Sequence, residues 1–138
     1  MSRRLVALLA VAALLGGVFA GLAVAQEQPP FVRGEPELDV YLPDGTVSPG
    51  TATDLTVQIA NDGEVDAGVD TRRAVVTTAR SVVVEVRNDD SPLVVETGRF
   101  AVGSIGEGAV RDVPVAVRVP ADAAPGTYSL DVRLDYSY

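Results

Sequence analysis

Oxygen-bearing side chains crowd one stretch of this sequence. From Asn61 to Asp70 the chain reads NDGEVDAGVD, which gathers Asp62, Glu64, Asp66 and Asp70 within nine positions. Hard carboxylate oxygens at alternate positions are calcium ligands. An EF-hand loop opening at Asp62 would need glycine at position 67 and glutamate at position 73, where this chain has Ala67 and Arg73. The plainer reading is a solvated acidic loop, so these four residues stand as calcium candidates only and no cofactor is assigned. Arg72-Arg73 follows directly and is the only basic pair after residue 25. Lying in a long connection expected from Asn61 to Ala79, it serves either for salt bridges to neighbouring acids or for docking an acidic partner. Asp89-Asp90 reads as a turn between strands, because adjacent strand residues point to opposite faces and make a poor acid and base pair.

The remaining inventory argues against catalysis. The 138 residues contain no histidine, cysteine or lysine. Serine therefore has no imidazole to activate it, and general-base work would fall to carboxylates that nothing marks as a pair. The chain is read as not an enzyme. Nucleic acid is excluded as a partner because phosphate binding rests on Lys and Arg, and this charge balance has the wrong sign. Without cysteine there is no disulfide framework and no thiolate metal site. Exposed aromatic rings for sugar stacking are also scarce, with Tyr41 on an outward face and Tyr138 at the end of the sequence.

An address is legible where chemistry is not. Residues 1–25, MSRRLVALLAVAALLGGVFAGLAVA, join a basic start to an apolar run that finishes on small residues at 23 and 25. This is the signature of a signal peptide, and its length also suits an uncleaved membrane anchor. The protein is expected to be exported, by the Sec or the twin-arginine pathway, the latter suggested by Arg3-Arg4. Membrane contact is then expected only through residues 1–25 if uncleaved, or through a further C-terminal segment. Residues 26–36, QEQPPFVRGEP, lack periodicity and are read as a flexible tether.

Charge supports an extracellular and saline setting. Eleven arginines face nineteen acidic residues, and loss of Arg3 and Arg4 with the signal would leave nine against nineteen, a net charge of −10. Such self-repulsion disfavours a compact state at ordinary ionic strength, whereas at 1 M salt the screening length falls to about 3 Å. The composition is that of a halophilic protein.

From Glu37 onward the hydrophobic period is two. Leu38, Val40 and Leu42 alternate with polar neighbours, as do Leu55, Val57 and Ile59; Val82, Val84 and Val86; and Val113, Val115, Val117 and Val119. The last run is the most regular, with Tyr128, Leu130, Val132, Leu134 and Tyr136 on one side. Short candidates at 93–97 and 99–102 bring the total to about seven strands. Ser48-Pro49-Gly50-Thr51 and Ala124-Pro125-Gly126-Thr127 have the proline and glycine of type II turns. No window after residue 25 has a helical period. Pro114 must lie at a sheet edge or a bulge, since it cannot donate to a ladder. The fold class expected is all-β, an immunoglobulin-like sandwich of about seven antiparallel strands over residues 37–138, preceded by an N-terminal signal helix.

The stretch GEPELDVYLPDGTVSPGTATDLTVQIANDGEVDAG, the TTAR at 77–80 and the closing APGTYSLDVRLDYSY resemble the S-layer-like surface proteins of halophilic archaea. More broadly they are similar to cell-adhesion-related and NPCBM-associated immunoglobulin-like sandwich domains. The resemblance covers about 34–138. It implies a non-catalytic cell-envelope protein, a structural or interaction module whose partners are cell-envelope or surface-layer proteins. It also implies that the chain is the N-terminal part of a longer protein or a short member of the group. Asn61 and Asn88 are followed by Asp62-Gly63 and Asp89-Asp90, so no N-glycosylation acceptor is present, which favours an accessory protein over the lattice subunit. The alternative is an accessory or scaffold subunit of a membrane export or surface complex.

Overall fold

The computed structural model describes residues 30–138. The segment read as a signal peptide or anchor, with its helix, lies outside the described residues. So does most of the expected tether. Among the described residues no helix is long and apolar enough to cross a membrane.

Nine strands are present: β1 (Val32–Glu35), β2 (Leu38–Tyr41), β3 (Ala52–Asn61), β4 (Glu64–Gly68), β5 (Ala79–Arg87), β6 (Val94–Val95), β7 (Arg99–Ile105), β8 (Val110–Arg118) and β9 (Asp131–Ser137). Seven of them build two facing sheets, ordered β2-β3-β8-β6 and β7-β5-β9, with every pairing antiparallel. The architecture is the expected all-β, immunoglobulin-like sandwich. Its core is the set of alternating side chains seen in the sequence: Leu55, Val57 and Ile59 from β3 and Val113, Val115 and Val117 from β8 against Val82, Val84 and Val86 from β5. Period-two valine-rich strands form this core because each strand presents one apolar face and branched side chains pack well on a pleated surface.

The turn chemistry is partly as expected. Gly50 takes φ 75° after Pro49, and the Thr51 hydroxyl donates to the Ser48 carbonyl at 2.6 Å. The matching turn at 124–127 does not form, because Gly126 is not among the positive-φ residues and the Tyr128 hydroxyl instead turns back to the Ala124 carbonyl. Asp89 and Asp90 sit in a turn, closed by the Asn88 side chain on the Leu93 carbonyl. Pro114 lies within β8 opposite Thr56. Ala116 directs its carbonyl to Glu96 and its N–H to the Thr97 hydroxyl, so Pro114, two residues back, faces the same side, where the two-residue β6 does not reach. The missing donor is thereby harmless.

Three expectations need correction. Residues 32–35, read as tether, form β1 and pair with β4 in a two-stranded ribbon outside the sandwich. The connection from Asn61 to Ala79 is not one loop: it holds β4, a 3-10 turn at Asp70–Arg72 and a short helix, α1, at Arg73–Thr77. The helix is too short to show a period. It is held by packing on β1, with Val76 against Gly34, and by the Thr77 hydroxyl on the Arg73 carbonyl at 3.0 Å. The final strand begins at Asp131 rather than at Tyr128, since its partner β5 ends at Arg87, opposite Asp131.

Candidate functional site

Asp62, Glu64, Asp66 and Asp70 are distributed by the fold over a turn, two positions of β4 and the 3-10 turn. Among the described residues no group of three or more His, Cys, Asp or Glu side chains is close enough together to hold a metal ion. The calcium candidates are thus not brought into one coordination shell. Glu64 and Asp66, two apart on one strand, share a face and with Glu35 and Glu37 line an acidic groove that reaches Leu38 and Tyr136. The basic pair is engaged. Arg73 bridges Glu107 at 2.6 Å, and Arg72 donates to the Pro30 carbonyl at 3.5 Å. Both contacts are exposed, so they orient the end of the ribbon more than they stabilise the fold.

Sequence reading used Asn61 only as the start of the connection to Ala79, yet its side chain makes four hydrogen bonds. It is fully buried. Its Nδ2 donates to the carbonyls of Thr77 and Ile105, each at 2.8 Å, and its Oδ1 accepts from the N–H groups of Gly63 at 3.0 Å and Glu37 at 3.2 Å. Its backbone closes the β7–β8 turn as well, accepting from Gly108 at 2.7 Å and donating to Ala109 at 3.0 Å. One side chain thus joins the entry to β2, the end of β3, the end of α1 and the end of β7.

The surface best suited to recognition lies where the two sheets part. Among the described residues β9 is the outer strand of its sheet and pairs only with β5. Val86 of β5 donates to Gly98 on the β7 side, so by alternation Val83, Glu85 and Arg87 face β9, opposite Asp135, Arg133 and Asp131. The polar backbone groups of those three β9 residues are therefore satisfied. Those of Val132, Leu134 and Tyr136 point to the open edge. Their side chains face inward, and Val132 and Leu134 are only partly buried although they pack on the core.

Across the gap, β2 is an outer strand of the facing sheet, and Val40 lines one cleft with Val132 of β9. Leu38 is half-buried, whereas Val40 and Leu42 remain 39% and 47% exposed despite facing inward. Between the strands opens an apolar cleft of about 230 Å³, lined by residues that include Val40, Leu42, Val57, Val86, Leu130 and Val132. Carboxylates lie close by. Asp39 and Asp131, next in the chain to Val40 and Val132, are exposed on the outer faces of their strands, Arg133 is bound to Asp135 at 3.1 Å, and a groove of Glu35, Glu37, Glu64 and Asp66 lies beside Leu38 and Tyr136. Asp39 also pushes the Tyr41 phenol above its ordinary value, so this ring stays neutral well into alkaline solution.

No family model matches the chain, and neither a curated protein nor a solved structure matches it significantly.

Proposed function

We propose that this chain is an exported, non-catalytic protein of the cell envelope, a structural or interaction module associated with the surface layer of a salt-adapted cell. The observation that supports this reading most is the combination at one edge of the sandwich: a regular strand with unused backbone donors and acceptors beside an apolar cleft, with an acidic groove at its Tyr136 end. A surface of that kind recognises another chain through its backbone and alternate side chains, and it needs no reactive group. The composition supports the setting, since an arginine-only, strongly acidic chain is solvated best where salt is concentrated.

Fractionation of the native cells tests the proposal. The protein is expected in the envelope fraction, with its N-terminus at Gln26 if the signal is cleaved or at the initiator if it serves as an anchor. Recovery of the intact chain from the cytosol would end this reading.

A further inference from the structure

We infer that the β9 edge is the seat for one extended strand supplied by another polypeptide, a segment with apolar side chains at alternate positions and arginine or lysine between them. The inference rests on reading this protein as an interaction module, and it adds the chemistry of the partner.

Four observations converge. The first is the row of unused backbone groups on Val132, Leu134 and Tyr136. Among the described residues they lie on the only sandwich edge that is both long and regular: β2 has four residues, β6 has two, and β7 slips in register beside Gly103, where φ is 91°. Natural sheets blunt their edges by shortness, bulges, proline or charge; β9 has no proline, bulge or inward charge, and carries only the outward charges Asp131, Arg133 and Asp135, which bias it toward a partner of the opposite sign. Its pairing slips once, between Arg80 and Val83, and the extra residue lies on β5.

The second is the seam itself. A strand placed beside β9 would direct every other side chain inward, between Val132, Leu134 and Tyr136 on one side and Leu38, Val40 and Leu42 on the other. Those β2 side chains would then lose the exposure that Val40 and Leu42 now have. The third is the charge of a second copy. Docking by its own β9 would lay Asp131 and Asp135 along the same acidic edge, and like charges across a strand pair are unfavourable. This repulsion selects a segment of a different chain over a dimer.

The fourth is charge. Outward positions of the incoming strand would run beside Asp131 and Asp135, and its end near Tyr136 would meet the groove of Glu35, Glu37, Glu64 and Asp66. Arg133 already has its carboxylate. Opposite charges directly across a strand pair are favourable and like charges are not, so these carboxylates select basic residues.

The test uses the full chain and synthetic peptides of about eight residues, a common strand length. One alternates valine with arginine and threonine, a second replaces its arginines by glutamate, and a third has the composition of the first with its valines clustered. Binding of the first is expected by fluorescence anisotropy, with amide shifts and exchange protection at Val132, Leu134 and Tyr136. At 0.1 M salt the acidic peptide should bind about tenfold more weakly, and the difference should shrink at 2 M salt. Methylating one alternate set of peptide nitrogens should abolish binding, while methylating the other set should not.

Leu134→Pro removes an edge-facing N–H and should lose binding. Leu42→Asp, at a position that is already exposed and so tolerant of the fold, should do the same by charging the seam. No binding of the alternating basic peptide up to about 1 mM would overturn the inference. Equal binding of the acidic or clustered peptide would do so too, as would a dimer of the free chain with its β9 amides already protected. None of these results bears on where the protein resides, so the envelope assignment stands or falls separately.

Discussion

Replacing Asn61 with alanine is the sharpest test of how this sandwich is held together. The substitution deletes four side-chain hydrogen bonds from a site with no solvent access. The N–H of Glu37 is only part-buried, so water can replace the oxygen it loses. The N–H of Gly63 and the carbonyls of Thr77 and Ile105 are buried and lose their partner outright. A net hydrogen bond is worth roughly 1 kcal/mol, and a buried polar group left alone costs about 1–3 kcal/mol. One replaceable bond and three orphaned groups therefore add up to about 4 kcal/mol at the low end, a large share of the roughly 5–15 kcal/mol that stabilises a typical domain.

For a domain of this size, each kcal/mol moves the melting temperature by about 4 °C. Equilibrium urea unfolding and thermal melts of Asn61→Ala should show a fall near 15 °C. A loss below about 1 kcal/mol would refute the claim that this amide organises the end of the sandwich. Asn61→Asp refines the argument, because it keeps the shape and exchanges two donors for charge. Facing two carbonyls in a buried site, the new carboxyl would have its pKa raised above the unfolded value of about 3.9. A raised carboxylate destabilises above the unfolded pKa, so this variant should regain stability relative to wild type as the pH falls toward 4. A variant whose deficit is flat with pH would show that the buried charge is not what hurts it.

Other outcomes are expected from the same structure. Ile59→Ala, at a fully buried position of β3, should cost about 3 kcal/mol in urea unfolding because the rigid two-sheet core cannot close over the lost volume. Ser81 occupies the β5 bulge with φ 52°, a conformation that strains any side chain, so Ser81→Gly should gain up to about 1 kcal/mol in the same assay. Gly68 has φ 111° and lies against the Phe31 carbonyl, where a Cβ would overlap. Gly68→Ala should therefore open the amides of β1 and β4 to hydrogen exchange while leaving β3, β5 and β8 protected. The melting temperature should rise between 0.1 M and several molar NaCl. The four ion pairs among the described residues are exposed, and screening them gives up less than it relieves in repulsion among the excess carboxylates.

The sandwich was legible because period two survives translation into structure: the alternating runs at 55–59, 82–86 and 113–117 became core strands, while the run at 38–42 became the short edge strand β2 with Val40 and Leu42 left exposed. The inner faces of β3, β5 and β8 could be named from spacing alone. Pairing was not legible. The sequence makes β9 look like the best strand of the fold, and nothing in its residues reveals that only one of its two edges is occupied, which depends on where seven strands settle in two layers. β1 escaped notice because VRGE is short, contains glycine and follows two prolines. Its partner EVDAG is equally weak, so each strand is a product of the other and of α1 packed on both. Asn61 escaped for a different reason. Asparagine before Asp-Gly is a common turn signal, and whether its side chain meets water or the backbone of Glu37, Gly63, Thr77 and Ile105 is decided mostly by residues far away in sequence. The acidic run misled in the opposite direction, since closeness along the chain did not become closeness in space.

The ribbon of β1 and β4 has a mechanical consequence. Any pull delivered through the N-terminal end first loads β1, whose outermost pair is Val32 with Gly68, so the ribbon opens like a zip, one pair at a time and at low force. Beyond Pro36 the load meets Glu37, whose N–H is gripped by the Asn61 side chain and whose carbonyl is held by the Asp62 N–H. Peeling stops there. The ribbon is thus a slack strap that can give and re-form while the sandwich behind it keeps its shape.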